Sequence, residues 1–140
     1  MKEAYVKFGT AQLLKQKGFD WECCNHFYCR KEDGKVIERW MLFPADRNSD
    51  RWVNKYAEYI SAPTQQMACK WLREVHKIDI SVTPDDGSWW IKVTELEYWS
   101  GVFNGKVLNS DDIKYAYKGD TSTKESCYEA ALQYVLTELI

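Results

Sequence analysis

The chain has 140 residues, of which 45% are hydrophobic and 29% are charged, and its formal net charge at pH 7 is −2. This composition predicts one globular domain and excludes a disordered chain, while the slightly acidic charge argues against a general nucleic-acid binder. Nowhere do about 18 apolar residues run together, so we expect no membrane-spanning helix and no membrane binding.

The cysteines and the N-terminus predict a reducing compartment. The chain has five cysteines, an odd number that does not suit a complete set of disulfides. Its first residues, Met1 to Tyr5, contain neither an apolar leader segment nor a cleavage site. We therefore expect free thiols and a cytoplasmic location.

The first part of the chain predicts a helix followed by a β-hairpin, over about residues 8–43. A helix from Phe8 to Lys17 would end at Gly18, and strands at 19–30 and 36–43 would flank a polar turn at Asp33 and Gly34. Residues 44–60 follow, and their turn-forming composition at 46–50 predicts an irregular segment.

Residues 62–99 repeat this plan more clearly. A helix is predicted to begin at Pro63 or Thr64, because apolar residues then recur with helical spacing from Ala68 to Val75. Apolar and polar residues alternate over 78–83, and again over 89–94 after a turn that ends in Asp86-Gly87. The alternation predicts a hairpin with one buried face.

The remaining residues, 100–140, predict a loop, a strand and a C-terminal helix. Residues 95–110 are interpreted as the end of a strand and a loop, and the alternation of Ile113, Tyr115 and Tyr117 predicts one more strand. Ser126 with Glu129 three residues later is a capping-box pattern, which predicts a final helix running to Ile140.

The order of elements predicts an α+β fold. We expect a pseudo-repeat of two helix–β-hairpin units that form one antiparallel sheet, with the helices packed on one face and a C-terminal helix. No linker divides the chain, so residues 1–140 are predicted to form a single domain.

Two segments resemble a family of small uncharacterised proteins from gut Bacteroides species and their phages or prophages. They are residues 61–76, with the sequence SAPTQQMACKWLREVH, and residues 126–136, SCYEAALQYVL, which is similar to the ending of the family. With the strand pair between them, the resemblance covers roughly residues 61–140. It implies an origin in a phage or other mobile element, and it implies no activity, cofactor or catalytic residue.

Four side chains in one short segment are weak candidates for metal binding: Cys23, Cys24, His26 and Cys29. Zinc is commonly held by two spaced pairs of ligands. Strand alternation would instead divide these four between the two faces of a strand, and no second pair follows nearby. We therefore favour buried thiols and expect no metal and no cofactor.

Nucleophilic catalysis by a cysteine is a second possibility. Any of the five thiols could meet His26 or His76, because catalytic partners converge in space rather than in sequence. No known signature surrounds any of the cysteines, so no catalytic residue is assigned and a non-enzymatic protein is favoured.

Aromatic residues are the better indication of function. Trp90 falls on the polar side of the second hairpin beside Lys92, and Tyr98, Trp99 and Phe103 lie near a glycine-containing loop. Exposed aromatic residues among polar ones are typical of interface anchors. The alternative is that a helix or a second subunit covers this face.

We therefore expect a cytoplasmic protein-interaction or adaptor module of phage or mobile-element origin. It would bind a protein partner, or itself as a homodimer, through the five residues just named. One alternative is a small-ligand or nucleotide-binding domain that sequesters its ligand, with Lys92 and Arg73 as converging basic residues. The other is a cysteine-dependent enzyme.

Overall fold

The computed structural model describes residues 4–99, 102–108, 110–117 and 121–140, with side chains described except at 37–43, 50, 85, 96–99 and 102–108. Within these residues the chain forms four α-helices and two three-stranded antiparallel sheets, which confirms the α+β class. The strands lie in two sheets and not in the single sheet expected. The chain divides into two compact units, Met1–Thr64 and Gln65–Ile140; the single domain and the pseudo-repeat stay predictions.

The first unit contains one α-helix and three strands. Helix α1 spans Phe8–Gln16, and strands β1 (Cys23–Arg30), β2 (Val36–Ala45) and β3 (Ala57–Ser61) form a sheet in the order β2-β1-β3. Gly18, with φ +91°, ends the helical segment in a conformation that a side chain would disfavour.

Helix α1 covers one face of the first sheet. Phe8 of α1 packs edge-on against Phe27 of β1, with 5.2 Å between ring centroids. The Lys15 Nζ donates to Glu58 Oε2 of β3 at 2.9 Å. Because Cys29 lies opposite Glu58 and Phe27 opposite Ile60, these residues share the face under α1.

The prediction that residues 44–60 are irregular was wrong at both ends of the segment, because 44–45 belong to strand β2 and 57–60 to strand β3. Asp50–Trp52 form a short 3-10 helix, and β3 then pairs with β1 from Arg30 opposite Ala57 to His26 opposite Ser61. The apolar members of β3 do not alternate regularly, so the strand lacked the period-two pattern from which strands are predicted.

The second unit contains three strands in the order β4-β5-β6, which are Ile78–Asp85, Ser88–Trp99 and Val102–Leu108. The predicted hairpin is present. Asp85 pairs with Ser88 across a two-residue turn, in which Asp86 and Gly87 have φ +39° and +82°. Two successive positive φ values are those of the tight hairpin turn that Asp-Gly favours.

Helices pack on one face of this second sheet. They are α2 (Gln65–Val75), α3 (Ser110–Ala116) and α4 (Lys124–Tyr134), and α4 continues as a π-helical turn over Val135–Leu139. Helices α2 and α4 contact β4, while α3 and α4 contact β5. The strand residues beneath them are buried: Ile78, Ile80, Val82, Ile91 and Val93.

Residues 95–117 hold two elements that differ from the prediction. The expected loop before residue 110 contains strand β6, and the strand predicted at 113–117 is helix α3 with the residue after it. Ile113 is fully buried whereas Tyr115 is 94% exposed, as positions about 200° apart on a helix can be. Asp111 and Asp112 in the first turn favour the helix electrostatically.

Helix α4 begins one residue after its N-cap, Thr123. Thr123 Oγ1 accepts a hydrogen bond from the Ser126 N–H, and Ser126 Oγ accepts one from the Thr123 N–H, both at 3.0 Å. The predicted capping box of Ser126 with Glu129 was therefore wrong by one turn. Glu129 is instead buried, where its carboxylate accepts a hydrogen bond from Gln65 Nε2 at 3.1 Å. In the part of the chain that is described, no helix is long and apolar enough to cross a membrane.

Candidate functional site on the second sheet

Trp90 lies on the face of the second sheet that is opposite its helices. Along β5, Ile91 and Val93 point towards the helices and are fully buried. The alternation of a strand directs Trp90 and Lys92 to the other face. Trp90 is 40% exposed and Lys92 is also exposed, so this face is open at both residues.

The surface around Trp90, here called the Trp90 face, consists of side chains from two paired strands: Asp79, Ser81, Thr83, Trp90, Lys92 and Thr94. Thr83 lies directly opposite Trp90, and Ser81 lies opposite Lys92. The face therefore places one large apolar side chain among hydroxyl groups, which is the composition of an interface core with a polar rim.

The charges of the Trp90 face leave one cation available. Arg73 of α2 forms an ion pair with Asp79, with 3.5 Å between Nη1 and Oδ1. Lys92 has no carboxylate within 4.0 Å among the side chains that the structure describes. Because Arg73 is paired with Asp79, the structure does not favour a basic pocket formed by Arg73 and Lys92.

In the first sheet, the face that lies away from α1 is covered, unlike the Trp90 face of the second sheet. On the side away from α1, the Tyr59 ring contacts His26, Tyr28 and Trp52, with centroid distances of 4.9, 4.7 and 5.5 Å. The Arg47 guanidinium lies 5.3 Å from the centre of the Trp52 ring. The segment between β2 and β3 thus covers this face, whereas Trp90 remains exposed on the second sheet.

The buried part of this first-unit cluster contains two polar side chains. His26 and Arg47 are both fully buried. Burial, together with the positive charge of Arg47, lowers the pKa of His26 to about 4. Arg47 donates from Nη1 to the carbonyl oxygen of Cys23 at 2.9 Å. The members of this cluster come from three separate segments that no local pattern in the sequence connects, and their contacts indicate a structural role.

The other predicted interface residues are placed only by their backbone. Tyr98 and Trp99 end strand β5, and Phe103 lies near the start of β6, directly opposite Tyr98. Their side chains lie outside the described residues, so the prediction that they form a binding surface with Trp90 stays a prediction.

The candidate metal ligands in β1 are not assembled into a site. Cys23 and Cys29 are buried, Cys24 is half-buried, and irregularities in the pairing with β2 occur beside Cys24 and Cys29. Among the described residues, no three His, Cys, Asp or Glu side chains are grouped so that they could hold a metal ion.

The buried thiols are poorly suited to nucleophilic catalysis. Burial raises the pKa of Cys23 and of Cys29, in the second case with help from the nearby Glu58 carboxylate. Burial also raises the pKa of Cys69 to about 12. Because the thiolate is the reactive form, these shifts oppose the activation that a catalytic cysteine needs.

No protein-family model, curated protein or solved structure matches the chain. The exposed Trp90 on an open sheet face is the feature on which a function can be based.

Proposed function

We propose that the protein is a non-enzymatic interaction module that binds a protein partner on the Trp90 face. The observation that carries this proposal is the exposure of Trp90, 40%, on a sheet face that is open around it. Tryptophan is among the residues most enriched at the energetic centres of protein interfaces, and its indole N–H gives such contacts direction.

The shape and charge of the Trp90 face support a protein partner over a small molecule. Small-molecule sites are usually concave, whereas the outer side of a two-stranded ladder offers a broad surface. The Thr83 and Ser81 hydroxyls can donate and accept hydrogen bonds around Trp90. The partner is expected to place a carboxylate against Lys92 and an apolar side chain against Trp90.

A second copy of the chain is one of the partners that the proposal allows. A two-fold axis through the face would bring two Trp90 rings together, but it would also bring the two Lys92 ammonium groups closer. The location in the cytoplasm and the origin in a gut Bacteroides phage or mobile element remain parts of the proposal that are supported by the sequence alone.

Affinity purification with matched variants tests the proposal. The tagged chain would be expressed in the cells that encode it, as the parent, as Trp90→Ala and as Tyr115→Ala. Tyr115 is a suitable control because it is an exposed aromatic residue on α3, a helix that packs on the opposite face of the second sheet. We expect the parent and Tyr115→Ala to capture the same protein, or to show the mass of a dimer in light scattering. Trp90→Ala should lose that partner or that dimer. If the folded Trp90→Ala variant kept every partner and the same mass, the proposal would be wrong.

A further inference from the structure

A groove of about 180 Å³ lies between α3 and the C-terminal part of α4. Its principal lining residues are Ile113, Ala116 and Tyr117 of the α3 segment, and Ala130, Tyr134 and Glu138 from α4 and its π-helical continuation. The three residues from the second helix are spaced four apart and therefore line one side of the groove.

The bottom of the groove is closed by buried residues. Ile113 is fully buried and Ala130 is 1% exposed, so a ligand can reach only the side chains around them, of which Ala116 is small and exposed. Tyr117 and Tyr134 are both half-buried and lie along the groove. Such a lining suits a short chain of methylene groups.

The charge of the groove is negative. Glu138 is exposed and supplies a carboxylate, and no lysine or arginine is among the described residues that line the groove. Lys114 of α3 donates instead to the carbonyl oxygen of Trp89. A carboxylate beside two tyrosine rings favours a cation, because the faces of aromatic rings attract positive charge.

The backbone at the groove is also unusual. Glu138 lies in the π-helical turn Val135–Leu139, and the Thr137 hydroxyl donates to the carbonyl oxygen of Gln133 at 2.7 Å. This turn carries Thr137 and Glu138 into the lining of the groove.

We propose that the groove binds the side chain of one lysine from a partner polypeptide. The methylene groups would lie along the half-buried Tyr117 and Tyr134 rings, and the ammonium group would meet Glu138. The volume is below the roughly 300–1,000 Å³ of sites for drug-sized ligands, so it suits a single side chain. One carboxylate matches one ammonium group, which favours a lysine side chain over a free diamine.

Amide chemical shifts of the isotope-labelled full chain can test this inference independently of Trp90. The probes are Nα-acetyl-lysine N-methylamide, its uncharged norleucine analogue and 1,5-diaminopentane. We expect the lysine amide to shift the signals of Tyr117, Tyr134 and Thr137 in a saturable way and to bind more tightly than the other two probes. Glu138→Gln should weaken the binding of the lysine amide by about fivefold, a modest effect because Glu138 is exposed.

Two further variants make the result specific. Ala116→Phe, at an exposed helix position, should block the groove and abolish the shifts, while Glu74→Gln on α2 removes an exposed carboxylate outside the groove and should leave binding unchanged. Absence of saturable shifts, equal binding of the norleucine analogue, or tighter binding of the diamine would overturn the assignment.

Discussion

Replacing Trp90 by alanine is expected to weaken binding far more than it weakens the fold. Trp90 is 40% exposed, and a tryptophan side chain can bury up to about 250 Å². A partner that covers Trp90 would therefore remove about 100 Å² of its surface from water. At about 25 cal/mol per Å² this corresponds to about 2.5 kcal/mol, or roughly a sixty-fold increase in Kd.

The Kd is measured by titration calorimetry with the partner that affinity purification identifies, or by sedimentation equilibrium if the chain binds itself. Tyr115→Ala provides the matched control and should leave Kd unchanged. Thermal unfolding of each variant establishes that it is folded. The reasoning would be refuted if folded Trp90→Ala bound within about twofold of the parent.

Three further predictions concern the fold and the buried groups. Gly87→Ala should lower the free energy of unfolding by about 1 kcal/mol in urea denaturation, because φ at Gly87 is +82°; an unchanged midpoint would argue against the turn. His26 has a pKa of about 4 in the fold, against 6.5 in an unfolded chain, so the unfolded state binds more protons between these values. Stability should fall as the pH is lowered from about 6.5 to 4, by at most about 1.4 kcal/mol per pH unit, and His26→Gln should remove this part of the slope. Cys69, with a pKa raised from 9.0 to about 12, should react with iodoacetamide on the order of a thousandfold more slowly in the native protein than in urea. Rapid native labelling of Cys69, followed by mass spectrometry, would contradict its burial.

The second hairpin could be predicted from the sequence because several local signals agree. Residues 78–83 and 89–94 alternate, and Asp86-Gly87 is the preferred pair for a tight turn. The α1 and α2 helices were predicted for the same reason, since Gly18 ends one and the apolar spacing up to Val75 defines the other.

The errors occur where local signals conflict or are short. Ile113, Tyr115 and Tyr117 alternate like a strand, yet the acidic first turn of α3 and the burial of Ile113 stabilise a helix. Strand β6 contains Asn104 and Gly105, residues typical of loops, and its pairing with β5 overrides that preference. Such tertiary effects cannot be read from residue types within one segment.

The candidate site could be predicted only in part. Alternation placed Trp90 and Lys92 together on one face of the hairpin, and the structure agrees. Whether that face is covered depends on distant segments. In the first unit, Trp52 from the segment between β2 and β3 packs against Tyr59, and Arg47 packs against Trp52, whereas Trp90 stays exposed.

Photocrosslinking from position 90 tests the central claim most directly. A photoreactive phenylalanine analogue would replace Trp90 in the cells that encode the chain, and a parallel sample would carry it at Tyr115. If Trp90 anchors a partner, the analogue at position 90 should give a discrete crosslinked protein, or a crosslinked dimer, and the analogue at position 115 should give none. The absence of any adduct from position 90, or the same adduct from both positions, would contradict the claim that Trp90 anchors a partner.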